Sequence, residues 1–153
     1  MTTALNQNTA RQVQNLTTFL ANTYVLLVKT QNFHWNIEGP QFFSLHQLFE
    51  KQYTDLFENI DVIAERMRAL NKKAPGSMRA FLKVASIKEA EIEDLDELEM
   101  LQELVQDHEK IAKELHAFME QAEEDRDQGT LDIFVQSIRA HEKMAWMLRS
   151  HCK

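Results

Sequence analysis

Two histidines and three carboxylates in this chain have spacings that suit metal chemistry. His46 and Glu50 stand four residues apart in "HWNIEGPQFFSLHQLFE" (34–50), among Phe42, Leu45 and Phe49. Asp61 and Glu65 repeat the interval in "DVIAE" (61–65), and His34 lies just upstream. On a helix, at about 100° per residue, the four residues of the two pairs project within an arc of roughly 100°. The rise of about 1.5 Å per residue, however, separates the centres of the pairs by roughly 22 Å. One chain cannot close a single metal site with both.

Two antiparallel copies can. A two-fold axis crossing this helix between residues 55 and 56 sets residue x against residue 111 − x. His46 then faces Glu65, and Glu50 faces Asp61. Two identical sites result, one at each end of the crossing, with the self-complementarity an isologous dimer requires. Taken singly, each residue has a plainer reading: Asp61 and Glu65 could pair with Arg66 or Arg68, and His46 could be a satisfied core histidine. Taken together with His34, they point to a metal site. Imidazole plus carboxylate, without thiolate, suits Fe2+, Mn2+ or Zn2+ better than Cu(I) or an iron–sulfur cluster.

Helices must position these residues. With 3 Gly and 2 Pro in 153 residues, and little β-branched alternation, helix is the expected state throughout. Val13, Leu16, Phe19, Leu20, Tyr24, Leu27 and Val28 predict a helix over about 9–35, with Asn8 or Thr9 as its cap. "NIEGP" stops it, and Pro40 suits the first turn of a second helix, about 40–71. That helix carries an apolar stripe of Phe42, Leu45, Phe49, Leu56, Ile60, Ile63 and Met67. After "NKKAPGS" a link of roughly twenty residues is long enough to need structure of its own, and a short helix over about 77–85 fits. Further helices span about 94–123 and 131–150, the last with Ile133, Phe134, Ile138, Trp146 and Leu148 as candidate core. Short loop, long crossover, short loop is the connectivity of an all-α, ferritin-like four-helix bundle, here one domain over 1–153. The acidic "EAEIEDLDELE" (89–99) reads as a solvated face and a helix start.

The formal charge of −7 argues against general attraction to nucleic acid or an anionic membrane and favours cationic partners. No signal-peptide pattern opens the chain, and its longest fully apolar run, "VLLV", cannot span a bilayer. The lone Cys152 makes no internal disulfide and reads as idle, which fits the cytoplasm.

The stretches "NFHWNIEGPQFFSLHQLFEKQY" and "DVIAERMRAL" resemble the Dps family of mini-ferritins, the DNA-binding proteins of starved cells. The resemblance covers essentially the whole chain. It implies that His34, His46 and Glu50 of one subunit join Asp61 and Glu65 of its two-fold mate in a ferroxidase centre. The activity implied is oxidation of Fe2+, preferentially by hydrogen peroxide, with ferric mineral stored in a hollow dodecamer. Glu50 departs from the family, which more often has aspartate there. No histidine has a glutamate three residues before it, so the di-iron site that ordinary ferritins build within one bundle lacks its ligands here. Trp35 adjoins a ligand and reads either as packing or as a shell residue that shields the site. Acids near the last helix, Asp125, Asp127 and Asp132, are candidates for the family's negative pore, with Asp127 and Asp132 favoured. His108, His116, His141 and His151 read as surface residues, and Met144 and Met147 as packing or interface.

DNA is not an expected partner. DNA-binding members often use a lysine-rich arm, and the first ten residues here contain neither Lys nor Arg. One basic patch remains, Arg66, Arg68, Lys72, Lys73, Arg79 and Lys83, which could touch phosphate. A nucleoid-packing protein with a secondary metal site is therefore the alternative reading. A structural oligomer with zinc or salt bridges at its two-fold interface is the third.

Overall fold

A computed structural model describes residues 2–91 and 93–153, with side chains from residue 7 onward. Among the described residues five helices follow one another: α1 (Thr2–Asn36), α2 (Phe42–Ala69), α3 (Met78–Val84), α4 (Glu97–Glu124) and α5 (Gln128–Arg149). α1 lies along α2 and α4 along α5, while α1 also touches α3 and α4. This is the four-helix bundle with a short helix on its long crossover. Among the described residues no helix is long and apolar enough to cross a membrane.

The first helix starts well before the expected cap. Nothing in "TTALNQNTARQ" forbids helix, and Thr9 sits inside α1 rather than at its end. Thr17, Thr23 and Thr30 of α1 donate their hydroxyls to the carbonyls of Val13, Phe19 and Leu26, four residues back. The helix ends at Asn36, and Gly39, at φ 136°, turns the chain. A side chain at Gly39 would collide with Glu97, whose Oε1 accepts the Gln41 backbone N–H at 2.8 Å. One carboxylate of α4 thus fixes the turn that returns α2 against α1.

Leu45, Phe49, Leu56, Ile60, Ile63 and Met67 of α2 are buried. Each such side chain contributes roughly 1.5–3 kcal/mol of burial, so this stripe alone holds α2 in register. Phe42 departs from the expected stripe and is exposed, as is Val28 of α1. α2 begins two residues beyond Pro40 and ends in a Schellman turn. Asn71, at φ 60°, takes the left-handed position, and the Lys72 N–H returns to the Met67 carbonyl. α4 ends in the same way, with Arg126 at φ 56° and the Asp127 N–H on the Ala122 carbonyl. The α4–α5 break is therefore made by Arg126, and Gly129 falls within α5, close against the Arg66 guanidinium.

The acidic stretch starts α4 through a capping box. Asp96 accepts from the Glu99 N–H, and Glu99 accepts from the Asp96 N–H. Trp146, expected in the core, is exposed, because α5 buries the Phe134, Ile138, His141 and Leu148 side and leaves Trp146 on the other.

Candidate metal centre

α1 and α2 meet through two histidines. His34 Nδ1 lies 2.7 Å from the His46 carbonyl oxygen, and His46 Nδ1 lies 2.8 Å from the His34 carbonyl oxygen. A carbonyl only accepts, so both Nδ1 atoms carry hydrogen. In the neutral rings this leaves each Nε2 with a free lone pair, the tautomer a metal needs. The rings stack at 3.8 Å between centroids, with Phe42 stacked on His46 and Tyr53 edge-on to His34. Backbone hydrogen bonds of this kind orient metal-ligating imidazoles.

Glu50, Asp61 and Glu65 are exposed on α2. Because α2 is unbroken from Phe42 to Ala69, the 46/50 and 61/65 pairs stay roughly 22 Å apart at about 1.5 Å per residue. Among the described residues no three metal-ligating side chains converge within the chain. The structure brings His34 and His46 together and leaves the three carboxylates facing outward. Imidazole and carboxylate donors of these types fit Fe2+.

A ferritin-like domain family model matches residues 13–153. A low temperature-induced protein of Nostoc sp. is 47% identical over 132 residues, covering 86% of this chain and 74% of that protein. DNA protection during starvation protein 2 of Bacillus anthracis is 40% identical over 131 residues, 86% of this chain and 89% of that protein. The crystal structure of Dps from Thermosynechococcus elongatus superposes with a TM-score of 0.94 at 31% identity, covering 98% of this chain and 95% of that one. The chain belongs to the Dps family of ferritin-like proteins.

Other polar residues of this Dps chain have defined places. Trp35, beside His34, is 67% exposed, so its own chain gives it little packing. Asp127 caps α5, accepting from the Thr130 N–H and hydroxyl and from Arg66 Nη2 at 2.7 Å. Asp125 is held by Arg11 and Gln12. Asp132 is exposed and accepts from Gln136. Within the basic patch, Arg66 is spent on Asp127 and Thr130 and is only half exposed.

Two of the histidines expected at the surface are in the core. His108 and His141 are buried, and their Nδ1 atoms meet at 2.8 Å. The signal for this was present: His108 continues the stripe of Leu101, Leu104, Ile111 and Leu115, and His141 that of Phe134, Ile138, Ala145 and Leu148. His116 does lie outside, 3.7 Å from Glu142. His151 is half-buried, with Nδ1 2.9 Å from Gln41 Oε1. Cys152 is half-buried against the Leu148 carbonyl.

Proposed function

We propose that this protein is an iron-storing mini-ferritin that oxidises Fe2+ at sites shared by two-fold-related copies. Hydrogen peroxide is the preferred oxidant, and the ferric product collects inside a hollow dodecamer in the cytoplasm. The observation that carries this reading is the reciprocal His34–His46 pairing, which leaves two Nε2 lone pairs free, with Glu50 one turn beyond His46 on α2. Asp61 and Glu65 complete the donor set only from a second copy, because they lie too far along α2 in the same one.

In this reading His34, His46 and Glu50 bind Fe2+ from one side and Asp61 and Glu65 from the other. Their carboxylates neutralise the cation, and the backbone-anchored imidazoles keep their orientation as charge builds. Two Fe2+ give one electron each to one peroxide: 2 Fe2+ + H2O2 + 2 H2O → 2 FeOOH + 4 H+. The O–O bond breaks and its oxygens leave as oxide or hydroxide, so no hydroxyl radical is released. Zn2+ and Mn2+ suit the same donors and are expected to compete. Trp35 shields the site at the subunit boundary, and Asp132, with Asp127, draws cations to an entry pore. DNA is not part of the reading, since the basic patch loses Arg66 to an internal ion pair.

The test is anaerobic Fe2+ loading of metal-free protein followed by a peroxide pulse, with His46→Ala plus Asp61→Ala as comparison. Rapid ferric formation and a soluble iron core in the parent protein alone support the reading. Equal, slow oxidation with precipitation in both rejects it.

A further inference from the structure

α2 exposes two phenylalanines that the bundle does not use. Phe43 is 70% exposed and Phe57 62%. Both fall within the arc of the metal ligands. Measured from His46 at about 100° per residue, Phe57 projects at roughly 20°, Glu50 and Arg68 at roughly 40°, and Phe43 and Asp61 at roughly 60°. The antiparallel relation that sets His46 against Glu65 also sets Phe43 (43 + 68 = 111) against Arg68, and Phe57 against Thr54. Arg68 is exposed, and its Nη1 donates to the Lys72 carbonyl at 3.0 Å, which holds the guanidinium at the end of α2.

We propose that Phe43 of one copy lies against the Arg68 guanidinium of a second copy, closing the outer end of each shared site and holding the metal-free pair together. This rests on the two-fold reading above. Without metal, each site brings three carboxylates together, and Glu50 faces Asp61 directly, so the pair repels itself. Arg68 brings a positive charge to the outer end of that site, about one turn beyond Glu65. A guanidinium is weakly hydrated and planar, so it stacks on an aromatic face with little desolvation cost. Phe57 beside Thr54 fills the inner end, so the ligands lie between two water-poor layers. The occupant is a second copy of this chain because one helix carries both halves of the contact, at its two ends.

The test measures dissociation of the metal-free two-fold pair by sedimentation equilibrium, for Phe43→Ala, Arg68→Ala and both together. Circular dichroism checks that helix content is unchanged, as it should be for exposed positions. Each single variant should raise the dissociation constant at least about five-fold, and the double variant little further, since the pair loses two exposed cation–π contacts at about two- to five-fold each. Single variants without effect, or a double variant whose effect is the product of the two singles, overturn the contact. Cysteine pairs in a Cys152→Ser background test the register separately. An intersubunit disulfide from Phe43→Cys plus Arg68→Cys supports it. Linking only by Phe43→Cys plus Asn71→Cys rejects the two-fold register, and the contact with it. Correct linking with independent energies rejects the Phe43–Arg68 contact alone.

Discussion

His108 and His141 share a hydrogen bond between their Nδ1 atoms, 2.8 Å long, where α4 meets α5. One ring must donate and the other accept, so the accepting ring is neutral. Both rings are buried, and His108 Nε2 has no hydrogen-bond partner among the described residues. Burial pushes both below the ordinary histidine range, with the nearby His141 charge adding to the effect on His108; His141 falls from 6.5 to about 4.

That pair predicts a loss of stability in mild acid. A depressed folded-state pKa means the unfolded chain takes the proton first. The penalty is therefore absent above the unfolded value of 6.5 and grows as pH falls to about 4. For His141 alone it reaches roughly 3 kcal/mol at the bottom of that window. The urea midpoint, at fixed protein concentration, should drop steeply between these pH values. His108→Leu plus His141→Phe should flatten the drop. An equally steep fall in the double variant would assign the acid sensitivity elsewhere.

Lys29 of α1 is buried, with its ammonium 2.7 Å from Asp107 and 3.6 Å from Glu103 on α4. Burial raises the Asp107 carboxyl and Lys29 opposes that rise. Asp107→Ala should cost about 3 kcal/mol in chemical denaturation, because it strips the nearer carboxylate from a buried cation. Lys29→Met plus Asp107→Leu should recover most of it. A double variant as unstable as Asp107→Ala would count against this account.

Asp127 and Asp132 should separate stability from iron entry. Asp127→Ala removes the α5 cap and the Arg66 partner, and a loss of roughly 2 kcal/mol is expected. Asp132→Asn, at an exposed position, should change stability by less than about 0.5 kcal/mol. It should nevertheless slow Fe2+ uptake, more at low salt than at high salt, because a focused negative field is screened by ions. Unchanged uptake in stopped-flow mixing at low salt would remove Asp132 from the entry path.

Gly39→Ala tests how far the turn controls the site. Its φ of 136° strains any other residue, and the new Cβ would lie 2.5 Å from Glu97 Oε1. Glu97 can swing away, but only by releasing the Gln41 N–H. A stability cost of about 1–3 kcal/mol is expected. Weaker Fe2+ binding in titration calorimetry should accompany it, because the turn carries His46 back to His34. Full iron affinity at reduced stability would show that α1–α2 packing alone sets the ligands.

Much of this was legible because a helix converts spacing into direction. The interval of four in His46/Glu50 and Asp61/Glu65 placed them on one face, and α2 is observed as one unbroken helix. The short helix and the acidic start of α4 were equally local. Local signals also misled. Thr9 resembles a cap, but a cap acts only where a helix has other reason to begin. Phe42 and Trp146 are apolar enough for the core, yet their azimuths point them away from it. His108 and His141 occupy core azimuths, and polarity alone suggested the surface.

The helical class, the long crossover and the imidazole-and-carboxylate face of α2 were readable from the residues alone, since each follows from periodicity along one chain. Only the tertiary structure decided that His34 and His46 exchange Nδ1–carbonyl bonds, that two histidines pair inside the core, and that Arg66 turns inward to Asp127. Those contacts join residues of different helices. Their geometry depends on which faces pack, and packing is a property of all the buried surfaces at once.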